Sequence, residues 1–259
     1  MTTDVLIGRN QTLLQITFNR PDKKNAINLA MYTAMADALK SAADDDSVRA
    51  VVLNGAGGLF TSGNDLGDFA TLVSQPDKLA SLDNPILNFM TSLEQCPKPV
   101  VAAVDGVAVG IGTTLLLHCD LVYCTPGASF SLPFVNLGLA PEYACSYLIP
   151  RMAGHVKAAQ WLLLGEAFSA TDAALAGLVN EVVDDVEAYA LARAHTIARQ
   201  PPAAVRTAKM LLRSATRAHV SETITREIEQ FAAALSGPEF QEAVAAFFEK
   251  RSPDFSSMT

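Results

Sequence analysis

Twice in this chain a short apolar run breaks into a cluster of glycines. Residues 50–54 lead into Gly55-Ala56-Gly57-Gly58, and Val100–Val104 leads into Gly106, Gly110 and Gly112. Glycine has no Cβ, so the backbone can turn sharply there and a ligand can come close to its N–H groups. Short apolar runs bounded by such turns read as strands. After the second turn, residues 113–119 read as a helix and residues 121–123 as a third apolar strand. Strand, turn and helix in succession argue for an α/β core.

Upstream, Leu14, Ile16 and Phe18 alternate with Gln15 and Thr17 across residues 12–19, the pattern of a strand. A basic turn, Arg20-Pro21-Asp22-Lys23-Lys24, follows it. Asn28 is placed to cap a helix running to residue 43, with Met31, Met35 and Leu39 on one side. Beyond Gly154 the pattern is mainly helical, over residues 156–164, 170–176, 186–199, 203–216, 221–235 and 238–250. Pro201-Pro202 and Gly237-Pro238 punctuate these segments. We therefore expect a core with the ligand site over residues 1–200 and a helical layer over residues 201–259 suited to subunit contacts.

With 259 residues, 50% of them apolar, the chain can bury a sizeable core. No apolar run reaches the ~18 residues needed to span a bilayer, so no membrane partner is expected. A formal net charge of -8 argues against general affinity for nucleic acid. Residues 1–5 lack the basic start and apolar core of a secretory signal, and Ser256-Ser257-Met258-Thr259 is not a peroxisomal address. A cytoplasmic protein is expected. Cys96, Cys119, Cys124 and Cys145 have neither Cys-x-x-Cys pairs nor histidines at metal spacing, which reads as reduced thiols and no metal site.

Three places combine backbone freedom with apolar surroundings: residues 60–65, residues 105–112, and Ala140-Pro141-Glu142. Two N–H groups, one from each glycine turn, could hold an oxygen that gains negative charge during a reaction. Losing one such donor typically costs about 2.7–4 kcal/mol of transition-state stabilisation. Ordinary tight turns would give the same pattern. Glu142 lies near Leu137, Leu139, Tyr143 and Tyr147, where burial would raise its pKa and make it a usable base. An exposed glutamate at a helix start is the rival reading.

Other chemistries fit poorly. Gly110-x-Gly112 is followed by Leu115 where a dinucleotide fingerprint needs glycine, and no acid lies about 20 residues on. No Gly-Lys-Ser/Thr follows to hold a phosphate. No Gly-x-Ser-x-Gly elbow supplies a serine nucleophile. Asp105 and Asp120, beside strand ends, read as structural hydrogen-bonding groups, and His118 as a core residue.

At these residues the sequence resembles the crotonase superfamily, the enoyl-CoA hydratase/isomerase family. The resemblance starts at Asn19-Arg20-Pro21-Asp22-Lys23-Lys24-Asn25-Ala26. It continues through Phe60-Thr61-Ser62-Gly63-Asn64-Asp65-Leu66 and Lys98-Pro99-Val100-Val101-Ala102-Ala103-Val104-Asp105-Gly106. Residues 173–179 and the terminal Phe247-Phe248-Glu249-Lys250-Arg251 complete it. It implies an α/β spiral of ββα units, with C-terminal helices that build a homotrimer or a dimer of trimers. It also implies an acyl-CoA thioester as substrate, with no cofactor beyond the coenzyme A it carries.

The resemblance places the two N–H donors at Ser62 and Ile111. It implies an acyl-CoA site that includes Ala26, Gly63, Asn64, Asp65, Leu66 and Gly110. Lys23 and Lys24 are candidates for the CoA phosphates, Lys250 for a contact from a neighbouring subunit, and Phe134 and Leu137 for the acyl tail. Hydratases of this family carry glutamates where this chain has Thr114 and Phe134. The stretch from Phe130 to Glu142 looks instead like the peroxisomal-type Δ3,Δ2-enoyl-CoA isomerases, in which a single glutamate stands at the position of Glu142. The expected activity is therefore a one-base shift of a 3-enoyl-CoA double bond to 2-trans-enoyl-CoA. Other crotonase reactions, including hydration, and a non-catalytic acyl-CoA-binding role are the alternatives.

Overall fold

A computed structural model describes residues 3–65, 67–68, 84–256 and 258. A six-stranded sheet runs in the order β1 (Val5–Asn10), β2 (Leu13–Phe18), β3 (Ala50–Gly55), β4 (Val100–Val104), β6 (Leu121–Cys124), β9 (Glu181–Val182). β1 pairs antiparallel with β2; the other neighbours are parallel. A smaller sheet holds β5 (Val107–Val109), β7 (Ser129–Ser131) and β8 (Phe168–Ser169).

Alternation along the strands divides the apolar residues between two faces. Ile16, Leu53, Ala102 and Val122 point into the main core. Leu13, Val52, Val101 and Tyr123 point the other way, onto α7 (Val186–Ala198). That helix presents Val186, Ala190 and Ala194 to them at helical spacing. Burial on both faces is why β3 and β4 read as continuous apolar runs.

After β4 the chain steps into the small sheet at β5, turns at Gly110 and forms one helical turn, α3 (Ile111–Thr114), which tightens into a 3-10 helix over Leu115–His118. It then returns to the large sheet at β6 and again to the small sheet at β7. This is the expected ββα repetition. The helix expected over residues 113–119 thus starts two residues earlier. The residues after β3 join the same scheme, because Thr61 bridges Ala108 and Asn64 bridges Ile27, both in parallel.

The capping expected of Asn28 is present: its Oδ1 accepts the Met31 N–H at 2.8 Å, at the start of α1 (Leu29–Asp44). Helix α2 spans Pro85–Glu94 and packs on α1. Helix α4 (Cys145–Ala153), not expected from the sequence, carries Pro150 inside it and begins after Ala144, a residue with no side-chain cap to offer. The later helices fall close to expectation: α5 (His155–Leu164), α6 (Ala170–Leu175), α8 (Pro202–Ser214), α9 (Arg217–Leu235) and α10 (Pro238–Glu249). α9 lies against α4 and α10. Phe231, Leu235 and Phe240 belong to the main core, so residues 201–259 share their apolar interior with the rest of the chain. Among the described residues no helix is long and apolar enough to cross a membrane. All four cysteines are free thiols.

Candidate active site

The elements around β5 enclose a cavity of about 700 Å³. Lys23, Lys24 and Ala26 reach it from the turn after β2, and Ser62, Gly63, Asn64 and Asp65 from the segment after β3. Gly110 and Ile111 enter from the start of α3; Phe134, Leu137, Leu139 and Glu142 from the stretch after β7. Leu66 lies outside the described residues. Lys250, at the left-handed C-cap of α10, does not line the cavity in this chain.

Two glycine turns meet at the centre. A Cβ on Gly112 would lie 2.5 Å from Cγ2 of Thr61, and one on Gly63 would lie 2.7 Å from the Val109 carbonyl oxygen. Only hydrogen fits in either gap, so glycine at these positions lets the two turns lie side by side.

The hydrogen bonding of these turns shows which amides are available. The Ser62 N–H donates to the Lys24 carbonyl at 3.0 Å, so it is already engaged within the protein. On the neighbouring residues, the Gly63 carbonyl accepts from Ile27 at 2.8 Å and the Asp65 N–H donates to Ile27 at 2.9 Å. In a parallel bridge these two bonds are made by the residues on either side of the bridging one, so the N–H of Asn64, which lines the cavity, points away from Ile27. Among the described residues it donates to nothing, and neither does the Ile111 N–H, the first of its helix. The pair of free amides is therefore Asn64 and Ile111, rather than the expected Ser62 and Ile111. The Tyr32 hydroxyl, from α1, donates to Oδ1 of Asn64 and fixes that residue from behind.

Of the acids lining the cavity, Asp65 is tied down. It accepts from Arg20 Nη1 at 3.0 Å and from the Gly67 N–H at 3.0 Å. Burial works against its ionisation, but these hydrogen bonds and the Arg20 charge prevail and lower its pKa. Asp65 reads as a brace for the turn. Glu142 is the opposite case. It is 7% exposed, and its Oε1 is, among the described residues, the one buried side-chain oxygen or nitrogen without a hydrogen-bond partner. Burial first, and then the nearby Glu227 carboxylate, push its pKa up to about 8. A buried acid left unpartnered costs about 1–3 kcal/mol, and such groups call for a chemical explanation.

The turn carrying Glu142 is held from several sides. Tyr143 and Ala144 both have left-handed backbones, with φ of 61° and 59°. The Tyr143 hydroxyl donates to the Met90 carbonyl at 2.6 Å. His118 Nε2 lies 2.9 Å from the Tyr143 carbonyl and must donate to it. Burial holds the His118 pKa down to about 3, so its ring is neutral and acts as a brace. Thr114 is fully buried and Phe134 walls the cavity, so neither of the two positions at which the resemblance implies a hydratase glutamate brings an acid.

Lys23 and Lys24 stand exposed at the cavity edge. The apolar wall is completed by Phe231 and Phe240 from α9 and α10, with Phe247 and Phe248 further along α10. Sequence reasoning did not assign the first two, because phenylalanines at helical spacing look like ordinary core. Tyr32 and Glu227 were missed for the same reason: each sits inside an amphipathic helix. Among the described residues no cluster of His, Cys, Asp and Glu could hold a metal ion.

Comparison with known proteins agrees with this arrangement. The sequence model described as Enoyl-CoA hydratase/isomerase matches residues 8–258. Enoyl-CoA delta isomerase 2 of Rattus norvegicus is 41% identical over 212 residues, which is 81% of this chain and 54% of the rat protein. The chain thus spans about half the length of that relative. The 2,3-dehydroadipyl-CoA hydratase of Escherichia coli K12 is 33% identical over 255 residues, 98% of each chain. Among solved structures, OdaA of Pseudomonas aeruginosa superposes with a TM-score of 0.90 at 44% identity, covering 95% of this chain and 99% of that one. The chain belongs to the enoyl-CoA hydratase/isomerase family of acyl-CoA enzymes and has its crotonase fold.

Proposed function

We propose that the chain is a Δ3,Δ2-enoyl-CoA isomerase in which Glu142 is the only acid–base group. The observation that carries this reading is the isolation of Glu142. Among the described residues it is the one cavity acid without a protein partner, and Thr114 and Phe134 stand where a second glutamate would be needed. Adding water to a double bond calls for one group to activate the water and another to deliver a proton. Moving a double bond needs one base that takes a proton and returns it.

In this reading the carboxylate of Glu142 removes a proton from C2 of a 3-enoyl-CoA. The electron pair of the broken C–H bond spreads into the thioester oxygen, giving a dienolate. The Asn64 and Ile111 amides donate to that oxygen as its charge grows. Glu142 then returns the same proton to C4, and the double bond comes to rest between C2 and C3. A pKa raised to about 8 makes Glu142 a stronger base than an exposed glutamate. Lys23 and Lys24 meet the CoA phosphates, and Phe134, Leu137 and Phe231 receive the acyl tail. The reaction requires no cofactor besides the CoA of the substrate. Met210, Leu211 and Leu212, exposed on α8, are suited to the subunit contacts of a trimer, which sedimentation would reveal.

Conversion of cis- and trans-3-hexenoyl-CoA by wild type and Glu142→Ala tests the assignment. We expect the variant to lose about 10²–10⁴-fold in kcat; undiminished turnover would sink it. Hydration is the second reading, favoured by the near full-length match to a hydratase. Crotonyl-CoA hydration well above isomerisation would establish it.

A further inference from the structure

We propose that Glu227 is a positioning residue for Glu142, fastening the left-handed turn that presents the Glu142 carboxyl to the cavity. The inference rests on the reading of Glu142 as the base. Glu227 comes from the middle of α9, far along the chain, and is 7% exposed. Its Oε2 accepts the Ala144 N–H, and its Oε1 accepts both the Ser146 N–H at 3.0 Å and the Ser146 hydroxyl. The carboxylate therefore caps α4 in place of the missing side-chain cap, directly beyond Glu142, Tyr143 and Ala144.

The turn needs that support. Consecutive non-glycine residues in the left-handed region are strained, of order 1–3 kcal/mol each, and persist only where their surroundings over-determine them. His118 and Met90 hold Tyr143, while Glu227 holds Ala144 and Ser146. Release of the Glu227 contacts frees the Ala144 side of the turn, and Glu142 is two residues away. A neutral asparagine or serine at the cap would serve the helix equally well. Only an acid also acts on Glu142 by charge.

Glu142 is faced by Tyr32 from α1, by Tyr143 and Cys145 on its own turn, and by Glu227 from α9. Tyr32, Tyr143 and Cys145 are held neutral by burial. Glu227 itself faces Cys145 and its neighbour Arg226; burial raises its pKa, against which the Ser146 and Ala144 donors and the Arg226 charge favour the carboxylate. The electrostatic influence on Glu142 thus comes chiefly from Glu227, which makes its proton harder to lose.

The test compares Glu227→Gln and Glu227→Asp with wild type, after thermal unfolding has shown which are folded. Two readouts are taken: kcat and KM for 3-hexenoyl-CoA, and the titration midpoint of Glu142. The midpoint comes from the infrared carbonyl band that Glu142→Gln removes in each background. In Glu227→Gln we expect kcat to fall about tenfold, KM to change less than about threefold, and the midpoint to drop by on the order of one pH unit. Glu227→Asp keeps the charge but cannot span the three donors, so kcat falls while the midpoint stays near wild type. An unmoved midpoint and wild-type kcat in folded Glu227→Gln would overturn the proposal. If that variant does not fold, Glu227→Asp decides: a reduced kcat at constant KM supports it, and a wild-type kcat overturns it. A wild type that performs no isomerisation, with the midpoint still falling in Glu227→Gln, refutes the isomerase reading and leaves the positioning role standing.

Discussion

The Tyr32 hydroxyl donates to Oδ1 of Asn64, which ties α1 to a cavity-lining residue whose backbone amide has no partner among the described residues. Tyr32 is 1% exposed and burial raises its pKa well above the usual tyrosine range, so it stays a donor at any working pH. Tyr32→Phe leaves the Asn64 side chain without this donor and loosens the amide behind it. We expect kcat/KM for 3-hexenoyl-CoA to fall about tenfold, about 1.4 kcal/mol, with the fold intact by circular dichroism.

Activity should rise with pH. In the proposed mechanism Glu142 must be ionised to act, and the folded protein holds its proton up to about 8. A kcat/KM profile for wild type should climb through the neutral range and level above pH of about 8. A flat profile from pH 5 to 9 contradicts the assignment of Glu142.

The same group should make the fold less stable as it becomes active. Its folded pKa of about 8 exceeds the ordinary carboxylate value it takes when unfolded. Stability from this group is therefore full below the ordinary carboxylate pKa and is lost as pH rises through about 8. Glu142→Gln removes that loss. Denaturant unfolding should show the variant gaining on wild type with rising pH, by on the order of a few kcal/mol at pH 9.

Gly63→Ala should separate the two turns. Its φ of 93° suits glycine alone, and the new methyl would meet the Val109 carbonyl oxygen at 2.7 Å. We expect a loss of about 1–3 kcal/mol in stability by thermal unfolding. A much larger proportional loss should appear in kcat than in KM, because in the proposed mechanism the displaced amide serves the reacting oxygen.

Charge reversal at the cavity edge should act on binding. In Lys23→Glu/Lys24→Glu we expect KM for an acyl-CoA to rise at low salt and kcat to stay near wild type. Because both lysines are exposed, the difference should shrink as salt is added. Titration of initial rates against ionic strength checks it.

Much of this architecture was legible in the sequence because it is local. The apolar runs of β3 and β4, the Asn28 cap and the punctuated C-terminal helices each carry their own signal. Helix α4 did not. Its interior proline argues against a helix, and its cap is supplied by Glu227 from far along the chain. The three-residue strands β5 and β7 are too short to show a period. The choice between Ser62 and Asn64 was equally invisible, since it depends on which side of the segment pairs with Ile27 and Lys24. A motif fixes a neighbourhood; the register of a bridge fixes which amide in it is free.

The cavity wall is drawn from residues as far apart as Lys23 and Phe248, with α9 and α10 supplying its last side. During synthesis those helices are the latest of its parts to leave the ribosome. Until they dock, Glu142 lacks the side of the wall that Phe231 and Phe240 supply and the Glu227 charge, which together contribute to its raised pKa. The raised proton affinity of Glu142 is thus a property of the closed fold and not of its local sequence.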